Sequence, residues 1–447
     1  MSRRILSMFL VVFLLALVAG CGGSKTEPKP TETPKAGEAP KTEQPKEVEI
    51  SFYYPVAVGG PLTKIIDNMV AEFTKANPHI KVKPVFSGNY ADTLTKVQTL
   101  IQGGQKPEVA VLLSTDIYTL TDQDAIIPLD DLIKADKDGA QYLADFFPAF
   151  MANSQINGTT YGIPFQRSMV VMYYNKELLE KAGYKEAPKT WDELVDAAKK
   201  ITNPAEGVWG IKIPSDGYPY WLTQGFAIQS GKNLMSADGK EVYFNSPENI
   251  QGLTFWRDLA YTHKVMPEGV IAWTAAPTDF ISGKVGMIYH SSGSLANITK
   301  NAKFKFGVAF LPAGPKGHGA PTGGGNFYIF KGLSKEKQEA AWKFVRHMTD
   351  AEVQAKWGLD TGYVAPRKSS FETKTMKDAA AKDPNVLVAR DQLQYAAAEL
   401  SVHNNPQIYK AYGNQLQAII TGKSDVKTAM DAAQKEAETI LAPFKKK

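Results

Sequence analysis

Val48-Glu49-Ile50-Ser51-Phe52 alternates apolar and polar residues as a half-buried strand does, and the segments downstream of it turn that strand into a fold. Leu62, Ile65, Ile66, Met69, Val70 and Phe73 recur at helical spacing, and Asn77-Pro78 supplies the stop. Ile80-Lys81-Val82-Lys83-Pro84-Val85 reads as a second strand and Leu94 to Ile101 as a second helix. Val109 to Leu113 is a continuous apolar run, the signature of a strand buried on both faces. Strand, helix, strand, helix, strand predicts an α/β parallel sheet. Further along, Val170 to Tyr173, then Glu177 to Ala182 and Trp191 to Ile201, open a second unit of the same kind. Val426 to Ile440, rich in Ala, Glu and Lys, predicts a helical C-terminus. A body running from 47 to 447 suits two α/β lobes better than one. Leu311 to Gly325, rich in Gly and Pro, is the longest stretch without periodicity and reads as a functional loop.

Upstream of Glu47 the composition changes completely. Arg3 and Arg4 precede an apolar run, Ile5 to Val18, broken only by Ser7. That run is too short to span a bilayer, which takes about 20 residues, and fits a secretory leader over 1–20. Leu17-Val18-Ala19-Gly20-Cys21 resembles a bacterial lipobox, which implies cleavage before Cys21 and acylation of that residue. Gly22 to Lys46 holds five Pro, interleaved Lys and Glu, and no aromatic or branched aliphatic residue. Such a segment has too little apolar area to offset its ordering entropy, so 21–46 is expected to be a lipidated, disordered tether. These features place the folded body outside the cytoplasm, on the outer face of the cell membrane or the periplasmic side.

The 447 residues are 43% hydrophobic and 22% charged, an ordinary soluble mixture that excludes a polytopic membrane protein or coiled coil for the bulk of the chain. A net charge of +5 offers no electrostatic argument for nucleic acid. The single cysteine excludes internal disulfides, multi-cysteine zinc sites and a CxxC pair. Catalytic motifs are sparse. The six histidines are scattered singly without HExxH, and no serine sits in a GxSxG elbow. Gly422-Lys423-Ser424 lacks the upstream glycine of a phosphate loop, Gln417 standing there instead, and reads as a turn between helices. Asp130-Asp131 after a proline suits a helix cap better than an acid–base pair. No metal or cofactor is expected.

Aromatic residues beside turn formers are dense: Tyr53-Tyr54-Pro55, Gly88-Asn89-Tyr90, Tyr161-Gly162, Tyr218-Pro219-Tyr220-Trp221 and Thr361-Gly362-Tyr363. Flat rings with polar tips suit sugars and polyols, which present C–H faces and hydroxyls together. Ser168, Ser291-Ser292-Gly293-Ser294 and Gly323-Gly324-Gly325 add small donors and close backbone approach.

The order of these pieces carries a resemblance. Gly158-Thr159-Thr160-Tyr161-Gly162-Ile163-Pro164, Tyr173-Tyr174-Asn175-Lys176-Glu177-Leu178-Leu179, Lys181-Ala182-Gly183, Thr190-Trp191-Asp192-Glu193-Leu194 and Phe280-Ile281-Ser282-Gly283-Lys284-Val285-Gly286-Met287 together resemble the ABC-importer solute-binding proteins for sugars and related solutes. Ser87-Gly88-Asn89-Tyr90, Ser291 to Ile298, Gly323-Gly324 and Thr361-Gly362-Tyr363 bring the chain nearest to the sn-glycerol-3-phosphate binders. The resemblance implies a periplasmic-binding-protein-like α/β fold of two lobes, 48–163 plus 327–383 and 164–326 plus 384–447. Hinge segments are expected to cross between the lobes near Pro164, Gly324 and Asp383. It implies phosphate contacts from Tyr90, Gly324 and Tyr363, hydroxyl contacts from Ser168 and one of Ser291-Ser292, with Ser292 favoured, and packing from Tyr218 and Trp221. Two positions depart from the pattern: Ser114 stands for a ligand glutamate, and Tyr409 for the phosphate-gripping arginine. Arg167 is a candidate substitute, with a surface salt bridge as its alternative reading. The expected partners are a small solute, a permease and the membrane through the anchor, with no nucleic acid and a monomeric chain. Rival readings are an anchored glycan or phosphodiester hydrolase and an adhesin or chaperone.

Overall fold

The computed structural model describes Gly23 and residues 46–445; the leader, Cys21 and nearly all of the tether lie outside the described residues. Strand β1 (Val48–Tyr54) pairs in parallel with β2 (Ile80–Phe86) on one side and β3 (Val109–Leu113) on the other, as the alternation predicts. The helices Leu62–Ala76 and Tyr90–Gln102 make the crossovers. Val109 and Val111 enter one apolar core while Ala110 and Leu112 enter another, because successive side chains leave a strand on opposite faces.

Beyond β3 the sheet is mixed. Its other strands are β4 (Ile163–Asn175), β5 (Trp209–Lys212), β6 (Val285–Ser291), β7 (Phe306–Ala309), β8 (Ala320–Ile329) and β9 (Ala396–Ala397). The order is β2-β1-β3-β8-β4-β6-β5, with β9 on β8 and β7 on β4. β8 runs antiparallel to both β3 and β4, which corrects the all-parallel expectation. Strand direction is set by where the chain re-enters the sheet, and local periodicity carries no trace of it. β8 also corrects the loop reading of Leu311 to Gly325, since from Ala320 onward the chain is strand. Gly323, Gly324 and Gly325 have no side chains with which to show alternation, and the sheet is tightest there: a Cβ on Gly325 would meet the Leu112 carbonyl at 2.7 Å.

β4 is one strand serving two cores. Ile163 and Phe165 belong to the core that contains Ile50, Phe52 and Phe344, whereas Met169 to Tyr173 belong to the core that contains Trp256 and Tyr412. Between them Gln166, Arg167 and Ser168 are polar and buried. Its pairing changes at the same place, from β8 up to Met169 to β6 from Val170. β8 makes the reverse passage, with Ala320 in the second core and Phe327 and Ile329 in the first. The helical stretch after Asp350 touches both, Trp357 and Tyr363 in the first core and Ala355, Val364 and Met376 in the second. The molecule is therefore two-lobed, with a polar waist where the crossing strands carry side chains that neither core accepts.

Candidate functional site

The waist holds a cavity of about 30 Å³, room for one or two waters, which meets a vestibule of about 590 Å³ along Ala57, Val58, Tyr218 and Trp273. Tyr90 reaches the cavity because Asn89 caps its helix. Asn89 Oδ1 accepts from the Asp92 amide at 3.1 Å and Asp92 Oδ2 from the Asn89 amide at 3.0 Å, a reciprocal cap that fixes the first turn. Tyr363 is delivered by Gly362, whose φ of +99° ends the helix Ala351–Thr361, and it stacks on Trp357 at 5.7 Å. Gln166 joins the two tyrosines, its Nε2 donating to Tyr90 Oη at 2.8 Å and to Tyr363 Oη at 3.1 Å. Burial holds both phenols well above their ordinary range, so they act as neutral hydrogen-bonding groups.

The opposite wall is Trp221. Its Nε1 donates to the Thr322 carbonyl at 2.7 Å, and its ring lies where a Cβ on Gly323 would be, 2.4 Å away. Trp273 closes the mouth: its Nε1 donates to the Ala57 carbonyl at 3.0 Å, its amide to Asp216 Oδ1 at 2.6 Å, and its ring packs against Tyr218 and His290. His290 is buried, its pKa pushed down to about 4, so it is neutral at pH 7. Ala57 lies beyond β1 and Trp273 precedes β6, so this bond ties the two lobes across the cleft. Trp273→Phe keeps a smaller aromatic ring and deletes the donor; with one hydrogen bond contributing about 1 kcal/mol, about fivefold weaker solute binding is expected by titration calorimetry. Unchanged affinity would show that the Ala57 bond does not support closure.

Of the ten ligand positions read from the sequence, Tyr90, Ser168, Tyr218, Trp221, Gly324 and Tyr363 all line the cavity. Four do not. Ser291 lines it instead of Ser292, whose Oγ accepts from the Met169 amide at 3.3 Å and which faces a separate cavity of about 20 Å³ with Tyr173 and Leu295. Tyr409 stacks on Tyr220 at 3.7 Å and donates to the Leu400 carbonyl, so it braces the wall from behind. Ser114 is fully buried one residue beyond Leu113, which does line the cavity. Arg167 is fully buried, which removes the surface salt bridge reading; its Nη1 donates to Asn326 Oδ1 at 2.9 Å and its guanidinium lies over Phe150. Alternation turns it away from the cavity that its neighbour Ser168 enters.

Ala57, Val58, Leu113, Trp273 and Glu399 line the cavity without having been read from the sequence, and of these Trp273 and Glu399 carry polar groups on their side chains. Trp273, between Ala272 and Thr274, has no turn former beside it to mark it as the other loop aromatics are marked, and Glu399 is the one charge in Ala396-Ala397-Ala398-Glu399-Leu400-Ser401-Val402. Asn153 holds Glu399 by both backbone groups, and Tyr220 donates to its Oε1 at 3.2 Å. Burial pushes its pKa up to about 8 against the opposing pull of Arg167, and likewise that of Asp116 up to about 7. No Lys or Arg is among the described residues lining either cavity or vestibule. Among the described residues no cluster of His, Cys, Asp and Glu could hold a metal, and no helix is long and apolar enough to cross a membrane.

A two-lobed molecule with an aromatic, hydroxyl-lined cleft at its waist is a solute-binding protein of the extracytoplasmic kind that serves ABC importers. The chain belongs to the family of bacterial extracellular solute-binding proteins, which it matches over residues 68–384. It is 27% identical over 423 residues to the sn-glycerol-3-phosphate-binding periplasmic protein UgpB of Escherichia coli, covering 89% of this chain and 93% of that one. UgpB from Mycobacterium tuberculosis, solved in complex with glycerophosphocholine, superposes with a TM-score of 0.79 at 25% identity, covering 89% of this chain and 99% of that one. Maltose-bound MalE3 of T. maritima gives 0.77 at 25% identity, covering 88% and 100%.

Proposed function

We propose that this protein captures a sugar, a polyol or a glycerophosphodiester, in preference to glycerol 3-phosphate, between its lobes and delivers it to a permease. The observation that carries the preference is the lining: one carboxylate, five aromatic rings and small hydroxyls, with no guanidinium or ammonium among the described residues. A phosphomonoester dianion draws much of its binding from bidentate arginine, and here Tyr409 stands at the arginine position while Arg167 faces away. The names of the relatives, which bind glycerol 3-phosphate, glycerophosphocholine or maltose, support the wider class.

The lobes would meet at the two crossing strands and at the stretch leading to Asp383, and contacts from both would favour closure on the solute. The chain is a binder and not an enzyme on this reading, monomeric, and held at the outer membrane face by acylated Cys21 through the tether. A thermal-shift panel tests it. At a hundredfold excess over Kd, mass action stabilises by about 2.7 kcal/mol, which raises Tm by about 3–5 °C for the cognate solute. Glycerol 3-phosphate is expected to give a smaller rise than a glycerophosphodiester, disaccharide or pentitol. A glycerol 3-phosphate shift at least as large as all the others overturns the preference, and turnover of any of them overturns the binding role.

A further inference from the structure

Glu399 is a carboxylate with an unusual lack of company. It is 1% exposed, yet it lines the cavity, and its Oε2 has no hydrogen-bond partner in the protein. Its backbone is locked by Asn153 and, through the next amide, by Gln224, while Tyr220, stacked on Tyr409, holds Oε1. The carboxylate therefore has one free oxygen in a fixed place. Arg167, the cation whose charge is felt at Glu399, makes no ion pair with it: its Nη1 donates to Asn326, its guanidinium lies over Phe150, and its Nε and Nη2 have no partner in the protein. Asp116 is a second buried carboxylate, also with an unpartnered oxygen, close enough to Glu399 for the two to repel. Glu399 is therefore a largely protonated acid in the empty cleft at pH 7, poised to ionise when a cation arrives, and the walls above it are the π-faces of Tyr90, Tyr218, Trp221, Trp273 and Tyr363.

Resting on the solute class proposed above, we infer that Glu399 is the specificity-determining residue of this cleft and that the preferred solute carries an ammonium group on a hydroxylated frame. An unpaired buried carboxylate enclosed by aromatic rings is a cation site by elementary electrostatics. The carboxylate supplies the counter-charge, the ring quadrupoles stabilise a desolvated cation from the side, and the surrounding serines hold hydroxyls. Amino sugars and glycerophosphodiesters of amino alcohols have this chemistry. A neutral polyol would leave Glu399 protonated, whereas an ammonium ionises it, releasing its proton to solvent as the solute binds.

The experiment is calorimetric titration of the mature chain with two matched pairs, glucosamine against glucose and glycerophosphocholine against glycerophosphoglycerol. In at least one pair the ammonium-bearing member is expected to bind tenfold or more tightly, with net proton release seen by comparing buffers of different ionisation enthalpy at pH 7. Glu399→Gln is expected to weaken the ammonium-bearing member tenfold or more and to leave glucose, the uncharged member, within about twofold. Equal binding within both pairs, or an equal loss for both members in Glu399→Gln, overturns the inference and leaves Glu399 as a hydroxyl acceptor. The comparison within pairs uses the native chain, so it stands even where the variant folds poorly. Binding of none of the four while a disaccharide or pentitol binds overturns the inference alone, and no binding of any of them overturns the solute class as well, which separates the two failures.

Discussion

Gly324→Ala is expected to destabilise the protein by about 3 kcal/mol or more and to abolish solute binding. Gly324 has a φ of +90°, where a residue with a Cβ is strained by about 1–3 kcal/mol. The added carbon would also sit 2.0 Å from the Gln166 carbonyl oxygen. That oxygen belongs to the backbone of β4, which is pinned in the middle of the sheet, so neither partner has room to yield and overpacking adds a similar cost. The same displacement would move Gln166 off Tyr90 and Tyr363, taking the cavity with it. Gly323→Ala is the comparison: its Cβ meets the Trp221 ring, a buried side chain and not backbone, and no positive φ adds strain, so the smaller overpacking loss of about 1–3 kcal/mol is expected. Urea denaturation with titration of a bound solute checks both. A Gly324→Ala protein of native stability and affinity would remove the waist from the account.

The second large effect is a loss of stability as pH rises. Glu399, about 8 in the folded chain, and Asp116, about 7, both lie above their ordinary values of 4.5 and 3.8 because burial penalises the charged form. The folded state therefore holds more protons than the unfolded state between roughly pH 4 and pH 8. Stability is highest below that window, falls through it and stays low above it, by on the order of 2–4 kcal/mol for the coupled pair. The groups facing them are Arg167, which stays charged, and Tyr218, Tyr220, Tyr328 and Tyr409, which stay neutral across the window. Denaturation midpoints of the native chain, Glu399→Gln and Asp116→Asn from pH 5 to pH 9 test this. Each variant is expected to flatten the fall, and parallel curves for all three would mean that neither carboxylate is proton-linked to folding. An ammonium-bearing solute would oppose the fall, since it stabilises the ionised form that folding alone disfavours.

The first three strands and the existence of their two helices were legible, because Ile50, Phe52 and Val109 to Leu113 sit in one sheet with both faces covered, although the second helix begins at Tyr90, four residues before its apolar periodicity does. Six of the ten ligand positions reached the cavity for a related reason: Tyr90, Tyr218, Trp221 and Tyr363 stand beside helix caps and turns that the sequence marks by Asn89, Pro219 and Gly362. Of the four outside the lining, Arg167, Ser292 and Ser114 each stand one residue from a lining position, and only Tyr409 lies wholly behind the wall. Arg167 and Ser168 occupy opposite faces of one strand, and Ser291 and Ser292 face different cavities at the end of another. Period-two alternation makes neighbours diverge, and no local signal says which of two neighbours faces the cleft.

Local chemistry determined that this chain makes alternating strands and helices, that glycines and serines collect at its crossings, and that it lacks the motifs of the common catalytic classes. Those properties depend on residues within a few places of one another. The tertiary structure alone decided that β8 runs against β3, that Trp273 bonds to Ala57, and that Glu399 supplies a carboxylate beside the turn where Ser114 has none. Each joins segments far apart in the chain, and their energies come from burial and charge, which exist only once the lobes have packed.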